Sequence, residues 1–85
     1  MKSFEYVIRD EIGIHARPAG QIVKEAKKYQ SIITIRCNGK EAGATKLMAL
    51  LGLAVKNGMK VKVSAEGEDE DIAAAGLQKF FEQNV

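Results

Sequence analysis

The sequence predicts an α+β fold ordered β-α-β-β-α-β-α, in which a four-stranded antiparallel sheet carries three helices on one face. Three observations predict it. Short runs near residues 4–8, 32–37 and 60–65 are alternating or β-branched, as half-buried strands are. Apolar residues recur at helical spacing after the first and third of these runs. The dipeptide Asn38-Gly39 closes the second run, and both positions of such a turn need positive φ, which marks a tight hairpin.

The first strand runs from Phe4 to Ile8, with Phe4, Tyr6 and Ile8 on one face and Glu5 and Arg9 on the other; Val7 weakens the alternation. Asp10 to Ile14 is a polar loop containing Gly13. An amphipathic helix follows from about His15 to Lys28, its inner stripe formed by Ala19, Ile22, Val23 and Ala26. Ile32 to Cys37 is the second strand, and Lys40 to Gly43 returns antiparallel to it across the Asn38-Gly39 turn. Leu47, Met48, Leu50, Leu51 and Leu53 then crowd a segment ending near Asn57-Gly58, too dense for one narrow stripe. A short helix with a leftover apolar face accounts for them, Leu50 and Leu53 serving the core. Lys60 to Ala65 is the last strand. Asp69 is placed to cap a final helix that holds Glu70 and Asp71 in its first turn and turns Ala73, Leu77, Phe80 and Phe81 inward. Right-handed crossovers and one apolar sheet face put all three helices on the same side.

With 85 residues, 46% of them hydrophobic and 28% charged, the chain suits one compact core, so residues 1–85 are expected to form a single domain. The one cysteine, Cys37, allows no internal disulfide, and with a single histidine the chain falls short of a structural zinc set; no metal and no cofactor are expected. The N-terminal residues carry Lys2, Glu5 and Arg9 rather than an apolar signal core, and no run approaches a membrane span, which together point to a cytoplasmic protein without membrane insertion. A net charge of +2 and 6% aromatic residues give little to hold nucleic acid. The acidic run Glu66 to Asp71 reads as a solvated helix start.

The chemistry concentrates at Gly13-Ile14-His15-Ala16-Arg17-Pro18-Ala19. Proline lacks an N–H and is tolerated only in the first turn of a helix, so Pro18 fixes where this helix starts and places His15 at its N-cap. The free amides of Ala16 and Arg17 then flank the imidazole, and a helix N-terminus with a guanidinium two residues on is an anion site. The same groups stabilise a phosphoryl dianion, Arg17 through paired hydrogen bonds. On spacing alone, a plain cap at His15 and a surface Arg17 fit equally well.

These seven residues resemble the active-site signature of the HPr family, the histidine phosphocarriers of the bacterial phosphoenolpyruvate:sugar phosphotransferase system. Chain length, element order, the Asn38-Gly39-Lys40 turn and the apolar second helix extend the resemblance over the whole sequence. It implies an open-faced sandwich in which His15 accepts a phosphoryl group through Nδ1 and Arg17 binds the phosphate. The chain is then a monomeric phosphoryl carrier and not an enzyme, passing the group from phosphorylated enzyme I to the IIA domains of sugar permeases. Leu47, Met48 and Leu51 are implied to dock both partners, rimmed by Gln21, Lys24 and Lys27. Many relatives carry a regulatory serine at the start of the second helix; here the position is Lys46, with Thr45 beside it as an ordinary cap. That departure keeps open a paralogue that mainly regulates a partner, and an interaction domain whose His15 site binds free anions is a third reading.

Overall fold

The computed structural model describes residues 1–85, with the expected element order: β1 (Lys2–Val7), α1 (Ala16–Ala26), β2 (Ile32–Cys37), β3 (Lys40–Gly43), α2 (Leu47–Gly52), β4 (Lys60–Glu66) and α3 (Glu70–Asn84). The strands form one antiparallel sheet in the spatial order β1-β4-β2-β3.

Register follows from the side chains. Phe4 pairs with Val63, Val63 with Ile35 and Ile35 with Ala42, so one row of apolar residues crosses all four strands. The next row, Glu5, Lys62, Arg36 and Glu41, is charged throughout and faces solvent. A slip of one residue on any strand would bring that charged row into the core, which fixes the pairing. All three helices cover the apolar face. From α3, Ala73, Leu77 and Phe81 are fully buried, and Phe81 meets Phe4 and Tyr6 edge to face at centroid distances of 6.0 and 5.6 Å. Burying a side chain of this size contributes roughly 1.5–3 kcal/mol.

Asn38 (φ 54°) and Gly39 (φ 78°) make the left-handed turn that their identities require. Several boundaries differ from expectation: the first strand begins at Lys2, the first helix ends at Ala26 rather than near Lys28, and the last strand runs on to Glu66; two further differences bear on the core. The first strand ends at Val7, leaving Ile8 buried just beyond it, where its N–H donates to the Met59 carbonyl at 2.9 Å. The second helix stops at Gly52, well short of Asn57-Gly58. Ala54 takes a left-handed φ of 52° after it, and the chain turns there so that Val55 can return to the core.

Asp69 stands at the N-cap of α3 but does not cap it with its side chain. Its carboxylate instead accepts the Ser31 hydroxyl and the amides of Gln30 and Ser31, both at 2.8 Å, and so ties the start of α3 to the loop before β2. The Ser31 hydroxyl, then the Gln30 amide, hold the carboxyl below the usual carboxylate range. A depressed carboxyl stabilises the fold fully above its unfolded pKa of about 3.9, and that contribution disappears as pH falls through the lower folded value. Asp69→Ala should therefore lower Tm at pH 7 by at least ~5 °C. In thermal melts between pH 7 and pH 2 the gap between variant and wild type is expected to close with acid; a gap independent of pH would contradict this role.

Candidate functional site

The loop before α1 is fastened from several sides. The Asp10 Oδ1 accepts the Ile12 amide at 2.9 Å and the Gly13 amide at 3.3 Å, closing a turn. The Ile14 N–H donates to the Val55 carbonyl at 2.9 Å, and Ile14 itself is buried. Asn57 Nδ2 donates to the carbonyls of Arg9 and Asp10, both at 3.2 Å. Gly13 lies where the loop presses on residues 55–56: at φ 90°, a Cβ would stand 2.3 Å from the Val55 oxygen. The path into α1 is thereby fixed before the helix begins.

His15 occupies the N-cap of α1 in extended conformation, and the Ala19 amide donates to its carbonyl at 2.9 Å as the first helical bond. Its ring makes no capping hydrogen bond, so the imidazole is left free at the helix end. Pro18 is the third helical residue and buried, as its missing N–H allows. Ala16 and Arg17 therefore carry the amides without an intrahelical partner. No acid occupies the first turn to compete with an incoming anion.

Asp10, His15, Arg17, Pro18, Gln21, Gln83 and Asn84 line one open depression of about 310 Å³. His15 and Arg17 are together, as the sequence indicated, and Gln21 joins them there although its expected place was the rim. Asp10, Gln83 and Asn84 were not foreseen. Asp10 Oδ1 lies 3.9 Å from His15 Nε2, the approach of a carboxylate to one edge of the ring.

Beside this depression α1 packs against α2. Met48 is 77% exposed and Leu47 40%, whereas Leu50 and Leu53 are buried. Leu51 is half-buried and packs on the core, so only part of it is available to a partner. Gln21, Lys24 and Lys27 are all exposed along α1. Lys46 is the N-cap of α2 and makes no side-chain cap bond. Thr45 precedes it in the turn, exposed, and is not the cap expected from the sequence: helix entry falls one residue later. Met48→Glu should leave Tm within about 2 °C of wild type, since the side chain is solvated. Leu50→Glu, which buries a charge, should unfold the chain or lower Tm by more than 15 °C. Circular-dichroism melts of the two variants test this division of the helix.

Residues 2–83 match the family model of the PTS HPr component phosphorylation site. The phosphocarrier protein HPr of Borreliella burgdorferi is 44% identical over 78 residues, covering 92% of this chain and 91% of that protein. A crystal structure of HPr-C-His from Thermoanaerobacter tengcongensis superposes with a TM-score of 0.93 at 37% identity, covering 99% of this chain and 94% of the other. The HPr dimer of the same organism superposes at 0.77, again at 37% identity, with coverages of 98% and 95%. The fold and these likenesses put the chain among the phosphocarrier proteins of the phosphotransferase system. It belongs to the HPr family.

Proposed function

We propose that the chain accepts a phosphoryl group from phosphorylated enzyme I on Nδ1 of His15 and delivers it to IIA domains of sugar permeases, acting in the cytoplasm as a monomer. The observation that carries this reading is the uncapped imidazole at the N-terminus of α1, with Arg17 in the same depression. The Nδ1 lone pair attacks phosphorus as the donor's bond to it breaks, and the electron pair of that bond leaves with the donor. The amides of Ala16 and Arg17 and the Arg17 guanidinium receive the charge of the phosphoryl oxygens. Delivery is the reverse step with the IIA domain as acceptor, and positioning plus charge stabilisation suffice for it.

Both partners are read as docking on Leu47, Met48 and the exposed part of Leu51, with Gln21, Lys24 and Lys27 around them. A methionine at the centre suits a surface that must fit more than one partner. Lys46 offers no hydroxyl to a kinase, and its fixed positive charge favours encounter with acidic partner surfaces. The same residue supports the second reading, a paralogue that chiefly regulates a partner. Phosphate passage from phosphoenolpyruvate through enzyme I to a IIA domain separates the two: the carrier turns over repeatedly, and a regulatory paralogue retains its label.

Arg17→Ala should slow transfer in both directions roughly ten- to hundredfold while Tm stays unchanged, because the side chain is exposed and its charge acts only on the phosphate. Rapid-quench transfer rates check this, and an unaltered rate would reduce Arg17 to a surface residue.

A further inference from the structure

We propose that Asp10 is a positioning residue for His15: its carboxylate holds the ring proton on Nε2, leaves Nδ1 as the nucleophile, and stabilises the positive charge the ring acquires while it carries phosphate. The proposal rests on the reading of His15 as phosphoryl acceptor and adds to it a residue from outside the helix.

Three observations converge on this carboxylate. It lies 3.9 Å from Nε2, on one edge of the imidazole, and in the same depression as Arg17. It is held there, because Oδ1 already accepts the amides of Ile12 and Gly13 and cannot swing away without opening the turn. The backbone of Asp10 is equally fixed: its N–H donates to the Val85 oxygen at 2.7 Å, and its carbonyl accepts the Gly13 amide at 3.0 Å and Asn57 Nδ2 at 3.2 Å. Asp10 is thus among the most firmly anchored residues of an exposed loop, and the group it presents to the histidine is a negative charge.

The consequence is chemical. A carboxylate facing one ring nitrogen favours the proton there, and the nitrogen without the proton keeps the lone pair. When Nδ1 attacks, the N–P bond forms, the donor's bond to phosphorus breaks, and the proton remains on Nε2, so the ring becomes cationic. Asp10 stabilises that cation at the edge away from the reacting nitrogen, while Arg17 and the helix amides take the phosphoryl oxygens. On delivery the N–P electron pair returns to Nδ1 and the ring departs as neutral imidazole with its Nε2 proton in place. The carboxylate therefore favours uptake and steadies the phosphorylated ring until an acceptor takes the group. The opposing effect, repulsion of the incoming dianion, is offset by the positive charge of Arg17 in the same depression.

The test compares wild type with Asp10→Asn, whose amide oxygen can still accept the Ile12 and Gly13 amides, so that the turn and Tm are kept. The rate of uptake from enzyme I should fall about five- to tenfold, the effect of one charge at this distance in a partly solvated site, while delivery to a IIA domain, which starts from the cationic ring, should not slow. On the unphosphorylated proteins, ¹⁵N shifts of the ring at a pH where it is neutral should show the proton on Nε2 in wild type and a larger share on Nδ1 in the variant. A purely structural Asp10 would not move that distribution when Tm is unchanged. A wild-type rate of uptake from enzyme I in Asp10→Asn, or a ring proton distribution identical in the two proteins, would overturn the proposal. A wild-type chain that accepts no phosphate would instead defeat the carrier reading. The two failures are distinct, since the ring measurement needs no phosphate.

Discussion

His15→Ala incubated with phosphoenolpyruvate and enzyme I should take up no phosphate, whereas wild type should take up one equivalent. The loss is expected to be complete, at least a thousandfold in initial rate, because this is the only histidine in the chain and no neighbour offers a nitrogen nucleophile of the same kind. The fold should survive. His15 is only partly buried and makes no cap bond, so replacing it removes neither core volume nor a hydrogen bond, and Tm should remain within about 3 °C of wild type. Alanine is a poorer N-cap than polar residues, but here the side chain was never the cap. Loss of labelling with an intact melting curve would localise the reaction to the imidazole. Retained labelling would place it elsewhere.

Gly13→Ala carries a large structural penalty in the loop that leads into α1. The added methyl would stand 2.3 Å from the Val55 oxygen and 2.5 Å from Lys56 Cα, both backbone atoms that cannot rotate aside, and φ at 90° is hostile to any side chain. The loop must lift from residues 55–56, breaking the Ile14 to Val55 bond and exposing Ile14. Strain and lost contacts together amount to roughly 3–5 kcal/mol, a Tm lower by about 15–25 °C. Transfer should fall along with stability, since the same loop sets the entry of His15 into α1. Gly20→Ala is the internal contrast: a Cβ there meets nothing within 4 Å, so this change should raise stability by up to about 1 kcal/mol. Thermal melts of the pair in parallel check both; a Gly13→Ala protein as stable as wild type would mean that the loop does not rest on residues 55–56 as described.

The fold was legible in the sequence wherever the signal was local. Pro18 fixed the helix start and so the N-cap position of His15, and Asn38-Gly39 fixed the hairpin, because in each case the chemistry of one or two residues excludes other backbone geometries. Alternation in the first and last strands separated the charged row from the apolar one before any pairing was known. What could not be read depends on contacts distant in sequence. Asp69 looks like a helix cap by position, yet its carboxylate is drawn to Gln30 and Ser31, which approach it only after the sheet forms. Gln83 and Asn84 reach the site from the far end of α3. Asp10 shows the boundary between the two kinds of information. Asp-x-x-Gly announces a turn that Asp10 closes on the Ile12 and Gly13 amides, but nothing local says that the same carboxylate stands beside an imidazole five residues on. The early end of α2 escaped for a different reason: a run of leucines has no single helical stripe, and the left-handed Ala54 that stops it carries no glycine signal.

Whether one imidazole nitrogen at the head of α1 carries the transferred group is read most directly from the ³¹P and ¹H–¹⁵N spectrum of the protein labelled by phosphoenolpyruvate and enzyme I. A single phosphorus signal, stable in alkali, lost in acid and coupled to Nδ1 of His15, is the predicted result. A phosphate stable in acid and borne on a hydroxyl such as that of Thr45, or one coupled to Nε2, would contradict it.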